Sequence, residues 1–362
     1  MRIGIASGDR IGHERSPDGL THWGGAGWVR LAQYLPLFND GRFANITEVY
    51  EGTLVWHYNC FKIITDKRED TAMHDVDVVI MQRLMHDGLA VHIHKAKANG
   101  QIVINDVDDW YWGLDPSNMA WKSSHPKYNK EENTKFYREV ISASSLVTVS
   151  TPFLQNKIKD WNVKSDVVVI PNTVDTARFA EHDHTNTTTP VVGWVGSTAH
   201  RSGDLEILRG ILTTTQNYKL MHAGYSEYAP KFANAVNVPE DSVTLVPAVD
   251  PENYPDLLQM DIGIAPLREC AFNRAKSEIK LLEYSACGIP WIASQLDAYE
   301  TLRNEFGVGR IAHRPKDWLR HIKALTSDWQ LRRDEGAQLR ELVTSRDIAV
   351  GAENWNEVFN SL

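Results

Sequence analysis

Cysteine is scarce. There are three in 362 residues, Cys60, Cys270 and Cys287, widely spaced and odd in number. That excludes a disulfide framework and a CxxC metal site, and it fits a reducing compartment. No apolar run approaches the roughly 18–20 residues of a membrane span. Nor does a basic, long-apolar, small-residue leader open the chain: MRIGIAS reads as a first strand, and Asp9 and Glu14 follow it closely. A cytoplasmic protein without a transmembrane segment is therefore expected, and the N-x-T matches at Asn45 and Asn186 carry no weight. Positive charge is in deficit. The net charge of -9 disfavours a general nucleic-acid binder, so no nucleic-acid partner is expected. No Gly-Lys dipeptide exists, which removes a Walker A loop, and His13–Glu14 does not continue to HExxH. Heptads, low-complexity tracts and short-period repeats are also missing.

What is present is a rhythm. Short apolar runs near 2–7, 46–53, 76–82, 101–107, 146–150 and 166–170 alternate with helical patterns such as GWVRLAQYLPLF and NKEENTKFYREVISAS. Continuous apolar strands alternating with helices indicate a parallel sheet covered on both faces. The polar, Thr-rich stretch 176–190 breaks the pattern and ends in Pro190, which reads as a linker. The rhythm restarts with strands at 191–196, 219–223, 243–247, 260–265, 289–293 and 307–312. A length of 362 residues suits two domains, and 42% hydrophobic content supplies a core to each. The expected architecture is α/β: two Rossmann-like, doubly wound domains over 1–175 and 191–330. C-terminal helices over 331–362 would pack back on the first domain.

Residues 272–294, FNRAKSEIKLLEYSACGIPWIAS, raise the functional question. Placed on one helix over 273–287, Asn273 is the N-cap and Lys276 lies in the first turn, with Lys280 one turn on. Cations there oppose the helix dipole by about 0.3–1 kcal/mol. An anion at the helix mouth reverses the sign, because backbone N–H groups, dipole and ammonium together make a phosphate site. Glu283, deeper on the same stripe, suits a pair of sugar hydroxyls. The strand DIGIAPL before this segment and PWIAS after it make a βαβ unit, whose strand-end loop faces the ligand crevice of a parallel sheet. The competing reading is a solvated Lys–Glu face. A second candidate phosphate loop, Gly196-Ser197-Thr198, follows the strand VVGWVG. His200 and Arg201 come next, and Arg201 would add a bidentate clamp.

At these residues the chain resembles the GT-B glycosyltransferases, specifically the large retaining family 4 group (glycosyl transferases group 1). WGGAGWVRLAQYL resembles the N-terminal glycine loop and first helix. LVTVSTPFLQNKI and VVVIPNTVDTARF resemble two further family segments, VVGWVGSTAHRSGDLEIL the start of the donor domain, and DIGIAPLRECAFNRAKSEIKLLEYSACGIPWIAS its donor-binding signature. Ala275 stands where the family often has the first of two glutamates, Glu283 matching the second, and Thr173 replaces a common glycine. The resemblance implies two domains facing a cleft and a UDP- or GDP-sugar donor held by Gly196, Ser197, His200, Arg201, Pro266, Leu267, Asn273, Lys276, Ser277 and Glu283. Gly24 and Gly25 would close over the donor phosphate or sugar. It also implies transfer to an acceptor hydroxyl with retention, no cofactor and no required metal. The acceptor, whether glycan, protein or lipid, stays open.

INDVDDWYW (104–112) follows a strand, so Asp106, Asp108 and Asp109 are expected to face the cleft. They would orient acceptor hydroxyls or stabilise positive charge on a reacting sugar; a metal-binding Asp-x-Asp and plain helix capping are the other readings. Trp110, Tyr111 and Trp112 suit either a sugar-stacking wall or core packing. The pairs His92/His94 and His182/His184 lack a third ligand at a convincing spacing, so no metal site is expected. GAGWVR (25–30) is an imperfect dinucleotide signal, and His22 in the glycine loop is open between contact and solvation. Two rivals to sugar transfer remain: a sugar-nucleotide epimerase or hydrolase on the same fold, and a carbohydrate-binding protein without turnover.

Overall fold

The computed structural model describes residues 1–11, 22–58, 61–64, 73–127, 133–184, 189–200, 203–213 and 217–362. It divides into two compact units. The first comprises Met1–Trp112, Lys122–Asn172 and Ile348–Leu362; the second comprises Gly113–Trp121 and Thr173–Asp347.

The first unit is built on a six-stranded parallel sheet. Its strands are β1 (Arg2–Ser7), β2 (Glu48–Glu51), β3 (Val78–Gln82), β4 (Ile102–Val107), β5 (Leu146–Val149) and β6 (Asp166–Val169), in the order β6-β5-β4-β3-β1-β2. Side chains alternate across it. Val78 and Ile80 face one cluster, with Trp355 and Phe359 of the C-terminal helix Ile348–Asn360; Val79 and Met81 face the other, with Leu89, Ile93 and Val140. Phe359 meets Phe38 edge-on at 5.6 Å. The expected strand 46–53 proves to be two: after β2, Thr53–Trp56 leaves the parallel sheet for an antiparallel one with Phe61–Ile64 and Met73–His74. His92 and His94 lie on the helix Leu89–Ala98, where residues two apart point roughly 200° apart, so they do not form a ligand pair.

The second unit repeats the plan with β7 (Val191–Val195), β8 (Lys219–Tyr225), β9 (Val243–Pro247), β10 (Ile262–Ala265), β11 (Trp291–Ser294) and β12 (Arg310–Ala312). Their order is β9-β8-β7-β10-β11-β12, all parallel. Val192, Trp194, Ile262 and Ile264 pack on Trp318 and Ile322 on one face. Val195, Ala265 and Trp291 pack on Leu281, Leu282 and Tyr284 on the other. The stretch expected as a linker is partly structure of this unit: Thr176–Arg178 is a short 3-10 turn, and Phe179 is buried in the core. Residues 185–188, with Asn186, lie outside the described residues. Among the described residues no helix is long and apolar enough to cross a membrane.

Candidate functional site

In the second unit the strand order reverses between β7 and β10. Ligands of open parallel sheets bind at the carboxyl ends of the strands flanking such a reversal. Two sequence-expected segments sit there: Gly196-Ser197 after β7, and Pro266-Leu267 after β10. Gly196 has φ +137°, which a side chain rarely adopts. Its N–H donates to the Ala223 carbonyl at 2.8 Å, and its own carbonyl lies 3.0 Å from His222 Nε2. Gly224, at φ +85°, leaves room for it: a Cβ there would stand 3.2 Å from the Gly196 backbone. Ser197 is exposed, with its hydroxyl accepting from the Ala199 N–H. Leu267 is buried and donates its N–H to Ser294 Oγ at 2.8 Å. His200 closes a 3-10 turn, Thr198–His200; Arg201 lies outside the described residues.

The donor-signature helix differs from expectation. It is not continuous over 273–287. A short helix, Ala271–Arg274, ends at Ala275, and the main helix, Ile279–Ala286, starts after a break. Asn273 is consequently not its cap. It is buried, and its amide donates to Asp204 Oδ1 at 2.7 Å and to the Arg268 carbonyl at 2.9 Å, which holds the loop after β10 in place. Lys276 and Ser277 precede the helix rather than occupying its first turn. The Lys276 ammonium stands 4.3 Å from the centre of the Phe272 ring. Lys280 is the cation at the helix mouth. Its Nζ donates to the Val195 carbonyl, and it lies 3.5 Å from where a Gly196 Cβ would be. Thus the strand-end glycine, a helix N-terminus and an ammonium converge.

Three residues further, on the same face, Glu283 Oε2 accepts from the Tyr254 hydroxyl at 2.6 Å. Burial pushes the Glu283 carboxyl above its ordinary range, while Lys280, the Tyr254 hydroxyl and Arg178 pull it back. Arg178 itself is fixed by the Pro251 and Glu252 carbonyls, both at 2.7 Å. Sequence reasoning had not placed Tyr254 or Arg178 here; neither carries a motif.

In the first unit the reversal falls between β1 and β3, and a second cluster collects there. Arg83, directly after β3, has φ +54° and reaches Asp9 at 3.1 Å, Asp109 at 3.1 Å and Asp108. Gly24 is explained by this cluster. A Cβ at that position would stand 2.5 Å from the Asp9 carboxylate, and its N–H donates to the Asp9 carbonyl at 2.7 Å. Gly25 opens the helix Gly25–Arg30, with open space where a Cβ would project. Asp106 departs from the expected role. It is fully buried, clasped by Arg30 through two bonds of 3.0 and 2.7 Å, and it accepts from Thr148 Oγ1 at 2.7 Å. β4 ends at Val107, so Asp106 is held within the sheet while Asp108, past the strand end, turns toward Arg83. Trp110 and Trp112 pack against Trp161 at 5.2 and 4.6 Å, and Trp110 is buried, in keeping with core packing.

Burial lifts the Asp108 carboxyl to about 6, Arg83 opposes the rise, and the Asp109 charge adds to it. Between about pH 4 and 6 the folded chain therefore holds a proton the unfolded chain has released. This group's contribution to stability falls as pH rises through that window and is level above it. In carbon-detected NMR, Asp108 should titrate near 6, and Asp109→Asn should move the midpoint down. A midpoint near 4, or one that ignores Asp109→Asn, would refute this account.

Residues 189–328 match the family model "Glycosyl transferases group 1". The match covers less than half of the chain and is confined to the second unit. The fold of the chain is GT-B. Among solved structures it is similar to Anabaena Alr3699/HepE in complex with UDP and glucose, at 14% identity over 100% of both chains with a TM-score of 0.64. Sucrose-phosphate synthase from Thermosynechococcus elongatus matches at 13% identity over 99% of this chain and 98% of its own, with a TM-score of 0.62. An E. coli structure described as trehalose-6-phosphate bound with UDP-2-fluoro glucose matches at 11% identity over 100% and 98%, with a TM-score of 0.55. No curated protein matches by sequence.

The family segment contains the Gly196 loop, Asp204, Tyr254, Asn273, Lys280 and Glu283. Lys280 was visible in the sequence as the partner of Lys276, four residues away. Which of the two meets the glycine loop depended on where the helix starts. Asp204 gave no signal; it matters because it anchors Asn273 and the Arg268 N–H.

Proposed function

We propose that this protein is a glycosyltransferase. It moves a sugar from a UDP- or GDP-sugar to an acceptor hydroxyl, with retention at the anomeric carbon and no metal or cofactor in the chemistry. The observation that carries this reading is the convergence of Gly196 and Lys280 at the strand reversal of the second unit, with Glu283 one turn deeper. The diphosphate is the leaving group. Lys280 and the helix N–H groups would stabilise the charge it gains as the glycosidic bond breaks. Glu283, held by Tyr254, would accept hydrogen bonds from the donor ribose. Lys276 and Ser277, on the segment leading into the helix, would line the same pocket. The family match and the UDP-bound structural relative support this reading. Retention is carried over from the family resemblance.

In the first unit, the Asp9–Arg83–Asp108–Asp109 cluster would orient the acceptor. Asp106 is replaced in that role by Asp9, which the sequence had not offered.

A thermal-shift series with UDP, GDP, ADP and their glucose conjugates tests the proposal. One nucleoside diphosphate should raise Tm by mass action, and a nucleotide should be released only when an acceptor is added. No shift with any nucleotide at millimolar concentration would overturn the reading. Release without acceptor would favour a hydrolase or epimerase. Nuclear magnetic resonance of the product's anomeric proton checks retention.

A further inference from the structure

His182-Asp183-His184 shows two imidazoles and no third ligand in the sequence. The fold brings one. Asp261, 79 residues beyond His182, stands directly before β10, with its Oδ1 3.3 Å from His182 Nε2 and 3.9 Å from His184 Nδ1. The ligand atoms of the three side chains all lie within 4.8 Å of one another.

The hydrogen bonding fixes what the atoms are. His184 Nε2 lies 2.7 Å from the Gly288 carbonyl, which can only accept, so Nε2 carries the proton. In the neutral ring Nδ1 is then a lone pair. It is buried, its side chain only 4% exposed, and among the described residues it has no hydrogen-bond partner. It points toward a carboxylate oxygen, which is also an acceptor. Two lone pairs facing each other in a buried site call for a cation between them. A ring whose second nitrogen donates to a backbone carbonyl is the usual outer support of a metal-bound histidine. Asp261 Oδ2 is likewise fixed, accepting from the Val191 N–H at 2.7 Å.

The ligand chemistry selects the ion. Two imidazoles and one carboxylate suit zinc and its neighbours rather than calcium or magnesium. Ligands around a tetrahedral zinc at bond lengths of about 2.0–2.1 Å stand about 3.3 Å apart, so the His182–Asp261 spacing fits as it is, and a small rotation of His184 closes the rest. A cavity of about 360 Å³ lies against His182 and His184, lined also by Glu181, Asp183, Arg333 and Gly336, and water from it would take the fourth position. Arg332, buried nearby, donates to the Leu325 carbonyl at 2.7 Å, and its charge is felt by Asp261 and His184.

We propose that His182, His184 and Asp261 bind one divalent transition-metal ion, zinc by preference. The site is remote from the candidate donor site. It lies at the amino ends of β7 and β10, while the Gly196 loop lies at the carboxyl ends, about 16 Å away at about 3.3 Å per strand residue. Bound metal would pin the segment leading into β7 to the sheet of the second unit. The proposal does not depend on the glycosyltransferase reading.

The test uses the full chain without a tag, stripped by a chelator and then titrated with zinc chloride. One equivalent should bind saturably and raise Tm, and cobalt should give the visible absorption of a four-coordinate site. His182→Ala, a half-buried residue whose loss leaves the strands intact, should weaken binding at least tenfold and abolish the Tm rise. Asp261→Asn, which keeps an acceptor for the Val191 N–H, should do the same. The Tm rise given by a nucleotide should persist in both variants, since the two sites are at opposite strand ends. Absence of saturable zinc binding would overturn the proposal and leave a protonated His184 paired with Asp261. Zinc binding unchanged in both variants would also overturn it, by locating the ion elsewhere.

Discussion

Asp106→Ala should cost about 3–5 kcal/mol of stability and leave little folded protein to assay. The reason is the partner left behind. Arg30 is only 2% exposed, and Asp106 is its charge partner through two bonds; the guanidinium's remaining bonds go to the Ile170 carbonyl and to Asn172. Removing the carboxylate strands a buried positive charge, and removing both charges does not. The double variant Arg30→Met/Asp106→Leu should therefore recover much of the lost stability in urea denaturation. Asp109→Ala, whose side chain is 16% exposed, should leave stability nearly unchanged and lower turnover. If Asp106→Ala unfolds at the parent's urea concentration yet is inactive, Asp106 belongs to the chemistry and the buried-pair reading is wrong.

Lys280→Ala should weaken nucleoside diphosphate binding by roughly tenfold to a hundredfold, the range of a charge-assisted hydrogen bond of about 1.5–3 kcal/mol. The loss should be largest for the diphosphate, smaller for the monophosphate and absent for the nucleoside, because the ammonium sits at the glycine loop rather than deep on the helix. Glu283→Gln should show the opposite pattern, with the deficit following the ribose hydroxyls and vanishing for the deoxynucleotide. Lys276→Ala should lose less than Lys280→Ala, since its ammonium stacks on Phe272 before the helix begins. Calorimetry of all three variants decides the matter. An equal loss from Lys276→Ala and Lys280→Ala would return the phosphate site to the single-helix picture.

Both results bear on what was legible beforehand. Every strand of the two parallel sheets coincides with an apolar run read from the sequence. In the central strands burial on both faces demands a short, continuous apolar run; the edge strand β9 is mostly exposed. The positions of the glycine loop and of Glu283 followed from the same local logic, as a strand end and a helix face. Helix continuity did not. The residues from Ala275 to Glu278 are compatible with a helix, yet the first short helix ends at Ala275, beside an Asn273 anchored by Asp204 from 69 residues away.

The sequence by itself determined the strand-and-helix alternation, the doubling of the domain plan and the acceptor-rich and cation-rich segments at strand ends, because these depend on neighbours within a few residues. Tertiary structure alone decided which charges meet. Arg30 finds Asp106 across 76 residues, Lys280 finds the Val195 carbonyl across 85, and Asp261 completes the histidine pair across 79. Strand order sets those meetings, and strand order is a property of how the whole sheet packs, which no local pattern encodes.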